Sequence, residues 1–330
     1  MSRVKLEGFT DEEFNELVNP VNKRLVRDFL NQQQLSNQTL KQYKSSLYIF
    51  CRWVYDNLDN EDIPMLRPRD GLSYQNFLIE KGLSSSGIKF KRSTVSSLFN
   101  FIEVFWSDEY PKCRNIFNKA IPNVAHTKKK EKIPLTDKER AKIVKTLKRS
   151  GELQKLAFFL VAYSSAGRRS EIIQLKKEIV GYKEHENKEG KKQGFYLSHV
   201  VRGKGKGKNG KDIKLMLGKE AMDAIKDWLE QRDKTWDDDR CEYIFASKTK
   251  DGGKMISPNT TNLWVDQFGE MIGRKINPHL IRATRSTDIV VEDGKDVRFA
   301  QKLLNHESNE TTTKHYIIRD DNDDVGGIFD

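Results

Sequence analysis

The chain is 330 residues long, enough for two domains that each bury a core of their own. It carries 59 Lys+Arg against 48 Asp+Glu, and a net charge of +11 points to a polyanion partner, DNA or RNA before a membrane surface. No apolar run approaches eighteen residues and no leader pattern is present, which excludes a membrane-spanning helix and predicts no targeting segment.

In chain order, residues 1–19 form an N-terminal arm with a short helix whose Thr10 and Glu13 make a capping-box pattern. A compact helical block is predicted over 20–120. Leu25, Val26, Phe29 and Leu30 share one apolar face, and residues 32–37 break it. A second helix starts near 37, with Leu40, Tyr43, Leu47, Phe50, Cys51 and Val54 at spacings of three and four. Its opposite face carries Lys41, Lys44 and Arg52. A third segment lies near 74–80. Residues 86–106 make a further helix, apolar at Val95, Leu98, Phe99, Ile102 and Phe105, with Lys89, Lys91 and Arg92 near its start. These basic faces either grip phosphates or are solvated helix surfaces.

Residues 121–135 have no apolar period and contain Lys128, Lys129 and Lys130, so they read as a basic linker able to track a duplex backbone. Thr136 and Glu139 start a new helix with a second capping box. The helix over 153–165 is apolar on most sides and is expected to be buried. It leads into Ser164-Ser-Ala-Gly-Arg168-Arg-Ser-Glu171, where a guanidinium held at a helix-to-helix turn needs an anion or a carboxylate. From 179 to 218 the pattern becomes strand-like. Strands are expected over 195–201 and 212–217, joined by the Gly- and Lys-rich turn 203–211. Helices follow over 219–231 and 258–272, the second with Leu263, Val265, Phe268 and Ile272 inward. Between them come an extended piece at 243–245 and a turn at 251–253.

The last functional stretch runs from His279 to Tyr316. His279 and Arg282 stand one helical turn apart and so point the same way. An apolar-periodic helix with Val297, Ala300, Leu303 and Leu304 then leads to Asn305-His306, and Tyr316 follows ten residues after His306. Two histidines, an arginine and a late tyrosine are what a phosphodiester-cleaving site without a metal needs. Cys51, Cys113 and Cys241 match neither a metal spacing nor a disulfide framework, so a reducing cytoplasm is expected.

These boxes resemble the tyrosine recombinases, the phage integrase family. The resemblance covers roughly residues 20–318. It rests on H-x-x-R at 279–282, L-L-x-H at 303–306, Tyr316, and the family's first box, G-x-R-x-S-E, around Arg168 and Glu171. The phrases L-S-x-x-T-L-x-x-Y at 35–43 and K-x-K-R-S at 89–93 look like the core-binding domain of integrases. The resemblance implies a mainly α fold with a small antiparallel β-sheet (α+β), arranged as a two-domain C-shaped DNA clamp with an integrase-like catalytic domain. The expected division is an arm at 1–19, a core-binding domain at 20–120, a linker at 121–135, a catalytic domain at 136–318 and an acidic tail at 319–330.

By the same resemblance Arg168, Lys204, His279, Arg282, His306 and Tyr316 form the catalytic set, with Glu171 supporting Arg168. The family's hairpin lysine protonates the leaving oxygen. Lys204 is the first choice and Lys206 the second, which otherwise clamps a phosphate. The tyrosine attacks phosphorus and leaves a 3′-phosphotyrosine, so neither a cofactor nor a metal is expected. Three departures stand out: Asn305 in place of glycine before the histidine, Ala283 where histidine is frequent, and Arg285 in place of a bulky apolar residue. Arg285 must reach DNA or strain the core. The implied function is site-specific recombination of double-stranded DNA, tetrameric on paired sites, in the cytoplasm of a bacterial host. The alternative is a DNA-binding phage repressor on the same scaffold, monomeric or dimeric.

Overall fold

The computed structural model describes residues 4, 6–117, 121–125, 132–205, 209–305, 313 and 317. The chain packs into two compact units, Met1–Lys130 and Glu131–Lys206 with Gly210–Asp330.

Among its described residues the first unit is helical throughout: α1 (Asp11–Leu17), α2 (Pro20–Leu30), α3 (Asn37–Asn57), α4 (Pro68–Glu80) and α5 (Ser85–Phe105). Local chemistry starts these helices where the sequence says it should. Thr10 Oγ1 accepts from Glu13 N at 3.2 Å while Glu13 answers Thr10 N at 2.8 Å, the reciprocal capping box. Ser36 and Ser84 cap α3 and α5 in the same way, each accepting from the N–H three residues on. Leu25, Val26, Phe50, Val54, Leu78, Leu98, Phe99 and Ile102 are fully buried, so the four longer helices share one core. Phe105 departs from expectation, being 72% exposed. The buried stripe through residues 95, 98, 99 and 102 turns away before the last residue of the helix, and the Phe105 ring meets that of Phe101.

The second unit holds α6 (Asp137–Arg149), α7 (Leu153–Ser165), α8 (Arg169–Ile172), α9 (Lys219–Thr235), α10 (Pro258–Ile272), α11 (Pro278–Thr287) and α12 (Val297–Leu304). Helix α7 is the centre, with Leu156, Ala157, Phe158, Phe159 and Val161 all buried, and α9, α10 and α11 supply buried residues to the same core. The β-structure is small and antiparallel: β1 (Phe195–Leu197) with β4 (Met216–Gly218), β2 (Val201–Gly203) with β3 (Lys211–Ile213), and β5 (Ala246–Ser247) with β6 (Lys254–Met255).

The two long strands expected over 195–201 and 212–217 are each broken in two. Ser198 exchanges bonds with Leu215, its backbone N–H donating to the Leu215 carbonyl and its Oγ accepting from Leu215 N, both at 2.9 Å. Val201 pairs with Ile213, so residues 199 and 200 face the single residue 214. That extra residue is a β-bulge, which re-aims the hairpin tip. The turn at 251–253 closes the β5–β6 pair, which begins just past the extended piece expected at 243–245. Leu263, expected inward, is 64% exposed, because the buried face of α10 runs through Thr261, Trp264, Val265 and Phe268. Among the described residues no helix is long and apolar enough to cross a membrane.

The second predicted capping box gains a long-range partner. Glu139, capped by Thr136, also receives a two-pronged ion pair from Arg274 just beyond α10, Nε to Oε1 at 2.6 Å and Nη2 to Oε2 at 2.8 Å. Arg274, with the Thr136 backbone, holds the Glu139 carboxyl down at about 2 instead of 4.5. A depressed carboxyl pKa contributes stability above its unfolded value, and this is lost as the pH falls through the folded one. Glu139→Gln should therefore cost about 1–2 kcal/mol at pH 7, after allowance for the pair's partial exposure. The melting-temperature gap between variant and wild type should close as the pH falls below about 4.5. A gap constant from pH 7 to 3 would assign the effect to packing instead of charge.

Candidate active site

Arg168 stands at the mouth of a turn built by α7. Past the buried Ser165 the chain enters a left-handed turn at Ala166 (φ 45°, ψ 28°), then Gly167, whose N–H donates to Ser165 Oγ at 3.0 Å. A Cβ on Gly167 would lie 2.9 Å from Ser165 Oγ and 3.0 Å from Ile172, so a larger residue could not pass here. Alanine is a costly residue for the left-handed region, and in the box G-x-R-x-S-E the glycine position falls on Ala166. Arg168 then begins α8. Glu171, 1% exposed, accepts from both the backbone N–H of Arg168 (2.8 Å) and its guanidinium Nη1 (2.9 Å). The buried carboxylate thus fixes both ends of the arginine.

Helix α11 carries His279 and Arg282 on one face. It starts where Asn277 caps Leu280 N at 3.0 Å and Pro278 occupies the first turn. Arg282 is 2% exposed. Its guanidinium donates Nη1 to the Ala166 carbonyl and Nη2 to the Leu304 carbonyl, the latter at 2.7 Å. One side chain therefore ties the turn before Arg168 to the end of α12. His279 lies at the rim. The protein atoms packed around its ring, and then the charges of Arg282, Arg168, Arg169 and Lys132, hold its pKa below the ordinary histidine value. Arg168, His279 and Arg282 are thus one electrostatic neighbourhood with an excess of positive charge.

Helix α12 buries Ala300 and Leu304 and ends at Asn305 in the left-handed region (φ 52°, ψ 41°), the conformation expected of asparagine in the glycine's place. Lys211 Nζ donates to the Asn305 carbonyl at 2.5 Å. Lys204 directly follows β2 and is exposed. His306, Tyr316, Lys206, Lys128, Lys129 and Lys130 lie outside the described residues.

Arg285 packs within the second unit. It is partly buried over the Tyr163 ring at 5.4 Å, beside a cluster in which Tyr163 OH donates to Asp288 at 2.5 Å and Arg140 pairs with Asp288 at 3.1 Å. Asp288 lies close enough to feel its charge, although burial raises the Asp288 carboxyl above its ordinary value, and Arg285 Nε is buried without a hydrogen-bond partner among the described residues. Among the described residues no three His, Cys, Asp or Glu side chains gather as metal ligands.

In the first unit Lys41 and Lys89 are exposed, while Lys44 and Arg92 make contacts within the unit. Lys44 pairs with Asp11 at 2.6 Å. Arg92 lies over Phe117 at 5.1 Å and donates to Gln75 and, at 3.2 Å, to the Pro122 carbonyl. Burial lowers the pKa of Lys91 and of Arg92. Two residues that periodicity could not single out fasten the hairpin. Lys211 is one. Gln174, just past α8, is the other, accepting from Arg202 N and donating to Arg202 O, both at 3.0 Å.

Comparison with known proteins agrees with this geometry. Residues 134–323 match the phage integrase family, and residues 23–103 match the phage integrase N-terminal SAM-like domain. The chain is 34% identical to the SPbeta prophage-derived recombinase-like protein YomM of Bacillus subtilis, over 99% of this chain and 96% of that protein. It is 27% identical to the tyrosine recombinase XerA of Pyrococcus furiosus over 74% of each. Two solved structures share the fold. A XerH site-specific recombinase bound to a palindromic difH substrate gives a TM-score of 0.66 at 17% identity, covering 95% of this chain and 98% of that one. The Tn1549 transposon integrase in complex with circular intermediate DNA gives 0.64 at 15% identity, covering 93% and 98%. A match over more than half its length makes this chain a member of the phage integrase family.

Proposed function

We propose that the protein is a site-specific recombinase that cleaves and rejoins double-stranded DNA through a 3′-phosphotyrosine at Tyr316. The observation that carries this reading is the bond from Arg282 to the Ala166 carbonyl, two residues before Arg168, with His279 in the positive field of both arginines and Glu171 buried behind Arg168. Such a site suits a phosphodiester whose non-bridging oxygens gather charge in the transition state. A recombinase-like relative along 99% of the chain and a tyrosine recombinase along 74% of it support the same reading, and they do not favour a repressor on this scaffold.

In the reaction the Tyr316 oxygen forms the new bond to phosphorus and the bond to the 5′-oxygen breaks. That oxygen takes a proton, and the phosphotyrosine linkage conserves the bond energy for resealing. Arg168 and His279 hold the phosphate, and Arg282 adds charge from just behind them. His306 completes the anion contacts. The low pKa of His279 leaves its ring neutral in free protein near pH 7, and an arriving phosphate favours its protonation. DNA is held by backbone contacts from both units, with exposed Lys41 and Lys89 and the linker Lys128–Lys130 as contacts. Assembly is tetrameric on paired sites, in the cytoplasm of a bacterial host.

The test is covalent trapping. The protein's own site, recovered by selection from genomic fragments, is nicked so that a short fragment diffuses away after cleavage. A denaturant-resistant protein–DNA adduct is the expected product. Tight binding without an adduct on such a substrate would leave a DNA-binding protein only. Lys204 is assigned the proton transfer to the leaving oxygen. Lys204→Ala should slow adduct formation by roughly 10² to 10⁴ at near-constant affinity, and a 5′-thiol leaving group should restore most of the rate. Failure of that rescue moves the role to Lys206.

A further inference from the structure

We propose that Lys211 is a positioning residue that locks the basic hairpin to the turn entering His306. This inference rests on the strand-cleavage reading and deepens it. Lys211 lies in β3 directly opposite Gly203, the residue before Lys204. Its ammonium group reaches across to the carbonyl of Asn305, the residue before His306 and 94 positions away. One side chain therefore joins the backbones next to two residues assigned to the reacting phosphate.

The bond acts on a sensitive place. The carbonyl of Asn305 and the amide nitrogen of residue 306 belong to one rigid peptide plane. Holding that oxygen sets the direction in which the chain enters His306. The turn needs holding, because Asn305 is left-handed at φ 52°, where a non-glycine residue persists only if its surroundings enforce it. Arg282 secures the preceding carbonyl, that of Leu304, and Asn305 N donates back to Lys302 O at 3.1 Å. A cation at these last carbonyls also opposes the negative end of α12.

The hairpin end is equally constrained. Gly210, next to Lys211, has φ 68°, and a Cβ there would lie 2.4 Å from the Gly203 carbonyl. Only glycine fits this close approach of the two strands. The groove between hairpin and α12 also contains Asp212, Arg298 and Lys302, but the bond to Asn305 is made by Lys211.

The experiment compares wild type, Lys211→Met and Lys211→Arg on the nicked duplex described above. Lys211→Met should bind that duplex with unchanged affinity yet form the adduct about 10²-fold more slowly, the cost of roughly an ångström of misplacement. Lys211→Arg, which keeps a cationic donor, should recover most of the rate. A 5′-thiol leaving group should not rescue Lys211→Met; rescue would make Lys211 the proton donor and overturn the positioning role. In DNA-free protein the Asn305 amide should exchange with deuterium faster in Lys211→Met. An unchanged cleavage rate or unchanged exchange refutes the proposal. Wild type that binds and never forms an adduct defeats the cleavage reading, while exchange at Asn305 still decides whether Lys211 holds the turn.

Discussion

Replacing Arg282 with alanine is expected to damage the protein twice, in stability and in chemistry. The side chain is 2% exposed and satisfies two carbonyls from distant parts of the chain, Ala166 and Leu304. Hydrogen bonds from a charged donor contribute about 1.5–3 kcal/mol each, and orphaned buried carbonyls add to the loss. A loss of about 3–5 kcal/mol follows, which lowers the melting temperature of a domain of this size by on the order of 10 °C. Cleavage should fall further than stability explains. The charge behind the phosphate is gone, worth about 10² to 10³ in rate, and the turns before Arg168 and after Leu304 are released together. Calorimetry and adduct formation well below the melting transition separate the two effects. Arg282→Lys should recover part of each, since an ammonium is a point donor and cannot span both carbonyls as the planar fork does. Normal stability with lost cleavage would show that the carbonyl bonds contribute little.

The second large effect is expected from Tyr316→Phe, which removes one oxygen. If that oxygen is the nucleophile, the adduct disappears to the limit of detection, because neither water nor a neighbouring side chain can replace the covalent step. Affinity for the site should stay within about twofold, since a single hydroxyl contributes little to a contact dominated by phosphate charges. Mapping the adduct in wild-type protein by peptide mass spectrometry should place the nucleotide on Tyr316. An adduct that survives in Tyr316→Phe, or that maps to another residue, would move the nucleophile elsewhere in the chain.

Much of the second unit's architecture serves to bring segments separated by more than a hundred residues to one place. The turn at 166–168 and the helix at 278–287 meet through Arg282. The hairpin joins them from two sides, through Gln174 on the Arg168 side and Lys211 on the α12 side. Both left-handed turns, at Ala166 and Asn305, are places where a residue other than glycine is held by a cation on a nearby carbonyl.

What could be read without coordinates was local in its physics. The capping boxes at Thr10 and Thr136 involve residues three apart, so the chain carries both partners in one short phrase. The buried stripes of α3, α5 and α7 follow from the 3.6-residue period. The left-handed Asn305 follows from asparagine's tolerance of that conformation. The family's sequence boxes were legible because each is a compact phrase. What the sequence could not show were partners far along the chain. Arg285 gave no sign of Tyr163, whose distant ring lies under its guanidinium. Arg92 and Lys44 looked like free basic groups until Gln75, Pro122 and Asp11 claimed them. Lys211 was one lysine among several in a glycine-rich turn, because the Asn305 carbonyl that gives it a role lies 94 residues away. Periodicity and caps report a residue's own element. Which charge meets which carbonyl depends on how the elements pack, and only the folded chain settles it.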